Sequence, residues 1–266
     1  MKMSDEVIRI EGNGKEIIGL LGEMGMKGAD TFFEVEEDKA FAYSISKSTA
    51  TFLITNCEKD GDERPVFKGK GQFCIEGKGS ILTQLLQLVS NEKAIVEIKT
   101  KGGFGEMAKI IGESSEWDNI PLLAKSVATS GLKKFQKART LCESKEIEAS
   151  GNKIKFDKNA VIEISELQAV SAADILGIEF VVIDTSGKLI FGGKKGDVGG
   201  KKDITINSSD EFSITISREI GDAISMLDDK VEIYTSGLPK TPAIVEGKRD
   251  GVVPYNRSFV LSTGGN

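Results

Sequence analysis

Polar and apolar positions alternate with a period of two over residues 6–10, 31–35, 40–45, 49–55, 72–75, 94–100 and 106–111, and each stretch predicts a strand. Two intervening stretches change period. Residues 15–26 place Ile17, Ile18, Leu21 and Met24 on one helical face, after a Gly12–Asn13–Gly14 break. Residues 80–91 carry Ile81, Leu82, Leu85, Leu86, Leu88 and Val89 and predict a second helix. The polar stretch 57–71 contains a proline and reads as a loop, and Gly102-Gly103 forms a turn.

The second half spells the same order. Strands are predicted at 160–165, 179–183, 188–191, 201–206, 211–216, 230–235, 242–246 and 252–261. Ser165 and Gln168 have capping-box spacing at the start of a helix reaching about 176. Ser217 is placed to cap a helix carrying Ile220, Ala223, Ile224 and Leu227. Short matches reinforce the pattern. Val161-Ile162-Glu163-Ile164 resembles Val7-Ile8-Arg9-Ile10, Val231-Glu232-Ile233 repeats Val96-Glu97-Ile98, and Phe212-Ser213-Ile214 echoes Phe73-Cys74-Ile75. These matches, in matching order, indicate an internal duplication. Between the halves, residues 117–158 have no counterpart. They predict a helix over 131–142 capped by Ser130, with Leu132, Phe135, Ala138 and Leu141 on one face, and a hairpin over 147–156.

Composition narrows the chemistry. The 266 residues suffice for two domains, and 39% hydrophobic with 29% charged residues is ordinary for a soluble protein. With no histidine, the commonest general base and metal ligand are missing. Cys57, Cys74 and Cys142 form no CxxC pair, so neither a zinc site nor a disulfide framework is expected. No metal, cofactor or catalytic residue is assigned. No apolar run is long enough for a membrane span and the N-terminus lacks a signal-peptide layout, so a cytoplasmic protein is expected. The run FGGKKGDVGGKK (191–202) lacks P-loop spacing, KGGFGEMAK (101–109) sits between strands, and EVEED (34–38) splits its carboxylates between two strand faces. A net charge of −6 leaves room for a local basic face.

The duplicated element order, tightest in VIEISELQAVSAADILGIEFVVIDTSGKLIFGG and in residues 212–261, resembles the two-domain DNA polymerase sliding clamps of phages, archaea and eukaryotes. The resemblance implies an α+β fold of tandem clamp domains, each with two helices on antiparallel sheets. Domain 1 would span 1–118, a connector 119–158 and domain 2 159–266. It implies a homotrimeric ring around duplex DNA, bound without sequence preference, that tethers a DNA polymerase, with the polymerase and a clamp loader as partners. The DNA-facing candidates are Lys15, Lys27, Lys78, Lys93 and Arg218 on or beside the family-type helices, and Lys133, Lys134, Lys137 and Arg139 on the connector helix. In the family a partner peptide docks between the connector and the C-terminal strands, which by position points to Ile120, Leu122, Leu123, Pro242, Phe259 and Leu261. Three other readings stay open: a structural ring or tube protein of a virus particle, which the few basic residues on the helices favour, an enzyme using carboxylates or lysines, which the lack of histidine disfavours, and a subunit of a heteromeric clamp.

Overall fold

The computed structural model describes residues 6–24, 29–36, 39–45, 52–58, 66–77, 80–149, 151–167, 180–184, 186–192, 199–208, 213–217, 223–224, 226–238, 241–250 and 254–261. Its contacts divide the chain into two units. The first comprises Met1–Ile45, Leu53–Phe135 and Asp250–Tyr255, and the second Ser46–Phe52, Gln136–Arg249 and Asn256–Asn266.

The first unit runs β1 (Val7–Asn13), α1 (Gly14–Glu23), β2 (Thr31–Glu36), β3 (Lys39–Ile45), β4 (Phe52–Glu58), β5 (Val66–Lys68), β6 (Lys70–Ile75), α2 (Ile81–Leu88), β7 (Lys93–Lys101), β8 (Phe104–Ile111) and β9 (Glu116–Pro121). Its strands lie in the order β4-β3-β2-β6-β8-β7-β1-β5, with β9 added to β8. The pairs β1–β5, β1–β7, β2–β3, β2–β6, β7–β8 and β8–β9 are antiparallel, and β6–β8 is parallel.

Local chemistry explains the helices. Asn13 Oδ1 accepts from the Lys15 N–H while Glu16 returns its carboxylate to the Asn13 N–H, a capping box that starts α1. Ile17, Leu20, Leu21 and Met24 then fall on one face and are buried, as are Leu82 and Leu86 of α2. Both helices share one core cluster with Ile8, Ile10, Val96, Ile98 and Ile110. On β2 and β3, alternation sends neighbouring aromatics to opposite faces. Phe33 stacks on Phe73 (4.7 Å) within the core, while Phe32 stacks on Tyr43 (4.9 Å) on the other side. Phe135 of the long helix α3 (Lys125–Ser144) covers Tyr43, with ring centroids 3.4 Å apart. That burial, with the Glu34 charge, pushes the Tyr43 hydroxyl pKa up.

The second unit contains the last part of α3, then β10 (Glu146–Ala149), β11 (Asn152–Lys155), β12 (Asp157–Glu163), a helical turn at 164–167, β13 (Phe180–Asp184), β14 (Lys188–Gly192), β15 (Gly199–Asp203), β16 (Asn207–Ser208), β17 (Ser213–Ser217), helical residues 223–224, β18 (Asp228–Thr235), β19 (Ala243–Asp250) and β20 (Pro254–Leu261). Its orders are β16-β12-β18-β19-β20 and β15-β14-β13-β17, with β10–β11 a separate hairpin.

These orders reproduce the first unit strand for strand. β16-β12-β18-β19-β20 repeats β5-β1-β7-β8-β9, and β15-β14-β13-β17 repeats β4-β3-β2-β6. The register corrects the sequence matching in one respect. Ile10 pairs with Val96 and Ile8 with Ile98, whereas Ile162 pairs with Val231 and Ala160 with Ile233. Ile162 therefore answers to Ile10 rather than to Ile8. A slip of two residues leaves the same side chains facing the core, so alternation alone could not detect it.

Other expectations also shift. The stretch taken as a loop, 57–71, contains the end of β4, all of β5 and the start of β6. The expected strand at 49–55 is β4 at Phe52–Glu58. Residues 116–121 form a strand, because Ile120 is drawn into the first core. Helix α3 begins at Lys125, so Ser130 is internal to it rather than at its N-cap position. Ser165 lies inside a helical turn that starts at 164, and Gln168 and most of the third and fourth helices lie outside the described residues. The hairpin at 147–156 appears at 146–155.

Candidate nucleic-acid interface

Two backbone hydrogen bonds seat α1 against the end of α2: Gly14 N–H to Glu92 O and Lys15 N–H to Ser90 O, each 3.0 Å. The approach is so close that a Cβ on Gly14 would lie 2.2 Å from the Val89 carbonyl oxygen. Because Asn13 pairs directly with Lys93 across β1 and β7, the same seating brings exposed Lys15 and exposed Lys93 to one end of the helix pair. No other cation joins them from these helices. Lys15 is the single basic residue of α1, beside Glu16 and Glu23, and α2 has no charged residue at all. Instead α2 exposes Ile81 and Leu88, the latter 68% accessible. Lys27, Lys78 and Arg218 lie outside the described residues.

Positive charge is concentrated on α3. Phe135, Ala138, Leu141 and Cys142 are buried, which leaves Gln136, Lys137, Thr140 and Ser144 exposed. Lys133 and Lys134 fall within the helix one turn before Lys137. Arg139 is half-buried, and its Nε donates to Glu143 Oε1 at 2.8 Å. The helix ends in a polar cluster. Lys145, at φ 55°, donates to the Cys142 carbonyl oxygen (2.5 Å), pairs with Glu246 and sits 4.7 Å from the centre of the Tyr234 ring. Ser258 Oγ donates to the same Glu246 carboxylate at 2.9 Å. Burial, reinforced by Glu246, pushes the Cys142 thiol up to about 12.

The positions considered for a partner peptide are distributed unevenly. Ile120 is 3% exposed and belongs to the first core. Leu122 packs against that core, its N–H donating to Glu106 O, and the Leu123 N–H donates to Cys74 O. Pro242 is half-buried just before β19. Phe259 is fully buried and, by strand alternation, shares the side of Arg257, whose Nη1 donates to Ala223 O at 3.4 Å. Ser258 takes the opposite side, toward Glu246 and the end of α3. Leu261 ends β20, and its side chain lies outside the described residues. Sequence reasoning passed over Ser258, although the alternation of β20 was available to find it.

Solved structures settle the fold. Proliferating cellular nuclear antigen from Entamoeba histolytica matches over 99% of this chain and 100% of its own, with a TM-score of 0.56 at 15% identity. The Helicobacter pylori beta clamp, solved with a DNA ligase peptide bound, matches over 97% of this chain and 67% of its own, with a TM-score of 0.52 at 14% identity. The chain has the sliding-clamp fold. No protein-family model and no curated protein matches the sequence. Within this clamp fold, no helix among the described residues is long and apolar enough to cross a membrane. No group of three or more cysteine, aspartate or glutamate side chains among them could hold a metal ion. Cys74 and Cys142 are free and buried; the side chain of Cys57 lies outside the described residues.

Proposed function

We propose that this chain is a non-enzymatic DNA sliding clamp, a processivity factor that encircles duplex DNA and tethers a replicative polymerase. The observation that carries the reading is the repetition of one strand order in both units, together with a fold likeness that runs end to end over the nuclear antigen. The proposed division is a domain at 1–118 whose last strand, β9, runs on to Pro121, a connector reaching 158 and a second domain at 159–266. Among the described strands, β9 pairs only with β8 and β15 only with β14, so each unit offers an edge strand there. Head-to-tail pairing of such edges satisfies their backbone groups, and closure after three copies gives a ring rather than a filament. DNA is the proposed occupant of the hole, held through phosphates by the lysines and arginines named above. A polymerase and a clamp loader are the proposed partners, in the cytoplasm or on the nucleoid, with Ile120, Leu122 and Leu123 in the first unit and Pro242, Phe259 and Leu261 in the second as the residues to test.

The test is solution mass by light scattering, followed in the same sample by binding to circular and to linear DNA. A trimer retained on circles and lost from linear ends supports the clamp. The uncharged α2 favours a second reading, a structural ring or tube protein of a virus particle. A trimer indifferent to circular DNA would support that one. A monomer would point to a heteromeric ring.

A further inference from the structure

Strand β9 is the edge that the first unit brings to the proposed copy-to-copy pairing, yet its own ladder to β8 is broken in the middle. Ile111 pairs with Glu116 and Ile110 with Trp117; the register then shifts, and Ala108 pairs with Ile120 and Met107 with Pro121. Asn119, at φ 57°, bends the backbone within that shift. The two halves of the strand are therefore held separately. The second half is anchored by the burial of Ile120 and by the Leu122 N–H, which donates to Glu106 O at 2.9 Å. The first half, Glu116 and Trp117, leaves directly from the β8–β9 turn and takes its position from that turn.

Glu92, in the loop between α2 and β7, holds the turn. Its Oε2 accepts the Glu113 N–H at 2.9 Å and the Ser114 N–H at 3.2 Å, and the Ser114 hydroxyl donates to it at 3.5 Å. Consecutive amides converging on one carboxylate oxygen make charge-assisted bonds, stronger than neutral ones. Across the turn the Gly112 N–H donates to Ser115 O (2.8 Å). Space is kept for the carboxylate: a Cβ on Gly112 would lie 3.1 Å from Glu92 Oε1 and 2.9 Å from Val89 Cγ1. Attraction to the charged side chains of the turn does not explain the placement, because Glu113, and Glu116 and Asp118 beyond it, are acidic and exposed. The carbonyl of the same residue accepts the Gly14 N–H (3.0 Å), so Glu92 fixes the start of α1 with one group and the turn with another.

We propose that Glu92 is a positioning residue for self-association: through the β8–β9 turn it sets the first half of β9 in the line along which a second copy of this chain pairs. This role rests on the head-to-tail pairing put forward above. Glu92 need touch no partner. An edge strand offers its N–H and C=O groups to a neighbour only while its backbone is held extended and in register. Loss of the anchor behind it is therefore felt in association.

The experiment uses the intact chain. Sedimentation across a dilution series reads self-association. Acrylamide quenching of Trp117, the chain's single tryptophan, reads the seating of β9 against the first core at dilutions where wild type and variants are all monomers. Glu92→Ala should weaken self-association by about tenfold, raise the quenching of Trp117 and speed amide exchange at Glu113 and Ser114. Glu92→Gln, which keeps an acceptor oxygen at the same reach, should stay within about threefold of wild type. Glu113→Gln removes a charge from the same turn without touching its amides and should match wild type. Melting temperatures confirm folding. If Glu92→Ala does not fold, Gly112→Ala, which crowds the carboxylate from the turn side, is read in its place and should show the same losses. Wild-type association in Glu92→Ala, a Glu92→Gln as weak as Glu92→Ala, a loss of the same size in Glu113→Gln, or a wild-type chain that stays monomeric would each overturn the assignment. Retention on closed circular DNA is scored separately. A chain kept on circles, whose association ignores Glu92→Ala, refutes this inference and leaves the clamp standing. A chain whose association needs Glu92 but which is not retained on circles does the reverse.

Discussion

The first unit fills its β1–β7 ladder with Ile8 and Ile10, whereas the second places Ala160 and Ile162 in the matching β12–β18 ladder. The strand partners are nearly the same, Ile98 and Val96 in one and Ile233 and Val231 in the other. What the two units share is therefore pairing order and which faces are buried, while side-chain volume at a given position drifts. The helical layer and the connector show the same division of labour: α1 and α2 preserve the packing and carry almost no positive charge, and α3 lies outside the repeat and carries it.

Substitutions at equivalent positions test this comparison most strongly. Ile98 and Ile233 are 0% and 1% exposed, and Ile98→Ala and Ile233→Ala should each destabilise by about 2–5 kcal/mol in urea unfolding. A large cost in one unit with none in the other would break the equivalence. Next, Ile8→Ala should cost about 2–4 kcal/mol, whereas Ala160→Ile should cost about 1–3 kcal/mol by overpacking. If Ala160→Ile stabilises the chain instead, the second ladder has spare volume and the cores are less alike than their registers. Gly14→Ala, forced against the Val89 carbonyl, should cost about 1–3 kcal/mol and loosen α1, visible as faster amide exchange at Gly14 and Lys15.

Much of this fold was legible because its determinants are local. The Asn13–Glu16 box, the i, i+3, i+4, i+7 spacing of α1 and the leucines of α2 are all readable from the residues themselves. What was missed depends on tertiary partners. β5 is three residues long and exists by pairing with β1, and β9 is held by β8 and the burial of Ile120. The early start of α3 follows a polar stretch of weak helical pattern, and farther along that helix Phe135 finds a stacking partner in Tyr43. For the candidate site, the charge run of the connector helix was readable from the residues, whereas the polar cluster at its end depends on Tyr234, Glu246 and Ser258, which arrive from strands far along the chain.

Smaller effects sharpen the picture within each unit. Burial raises the thiol pKa of Cys74 in the first unit and of Cys142 in the second. Neither should alkylate at pH 8 until the chain unfolds, as peptide mass mapping would register. Labelling of Cys142 alone in the folded protein would mean that the end of α3 lifts from its sheet. Smallest is Glu232, whose carboxyl is held below the ordinary glutamate range by hydrogen bonds from Lys158 and Tyr234. A depressed folded value gives stability that is present above the unfolded glutamate range and lost as pH falls through the folded one. In Lys158→Ala the Glu232 titration followed by NMR should move up toward an ordinary glutamate, and an unchanged midpoint would assign the shift to Tyr234.

The pairing of β1 with β7 joins residues on either side of almost the entire first unit, and Thr100 Oγ1 donates to Glu6 O across 94 positions of sequence. On a translating ribosome, β1 cannot take its central place until β7 has emerged from the exit tunnel. Until then its apolar residues must wait beside β5 or in the care of a chaperone. The second repeat imposes the same delay on β12, which waits for β18. Synthesis thus meets two successive intervals of exposure, one for each copy of the fold.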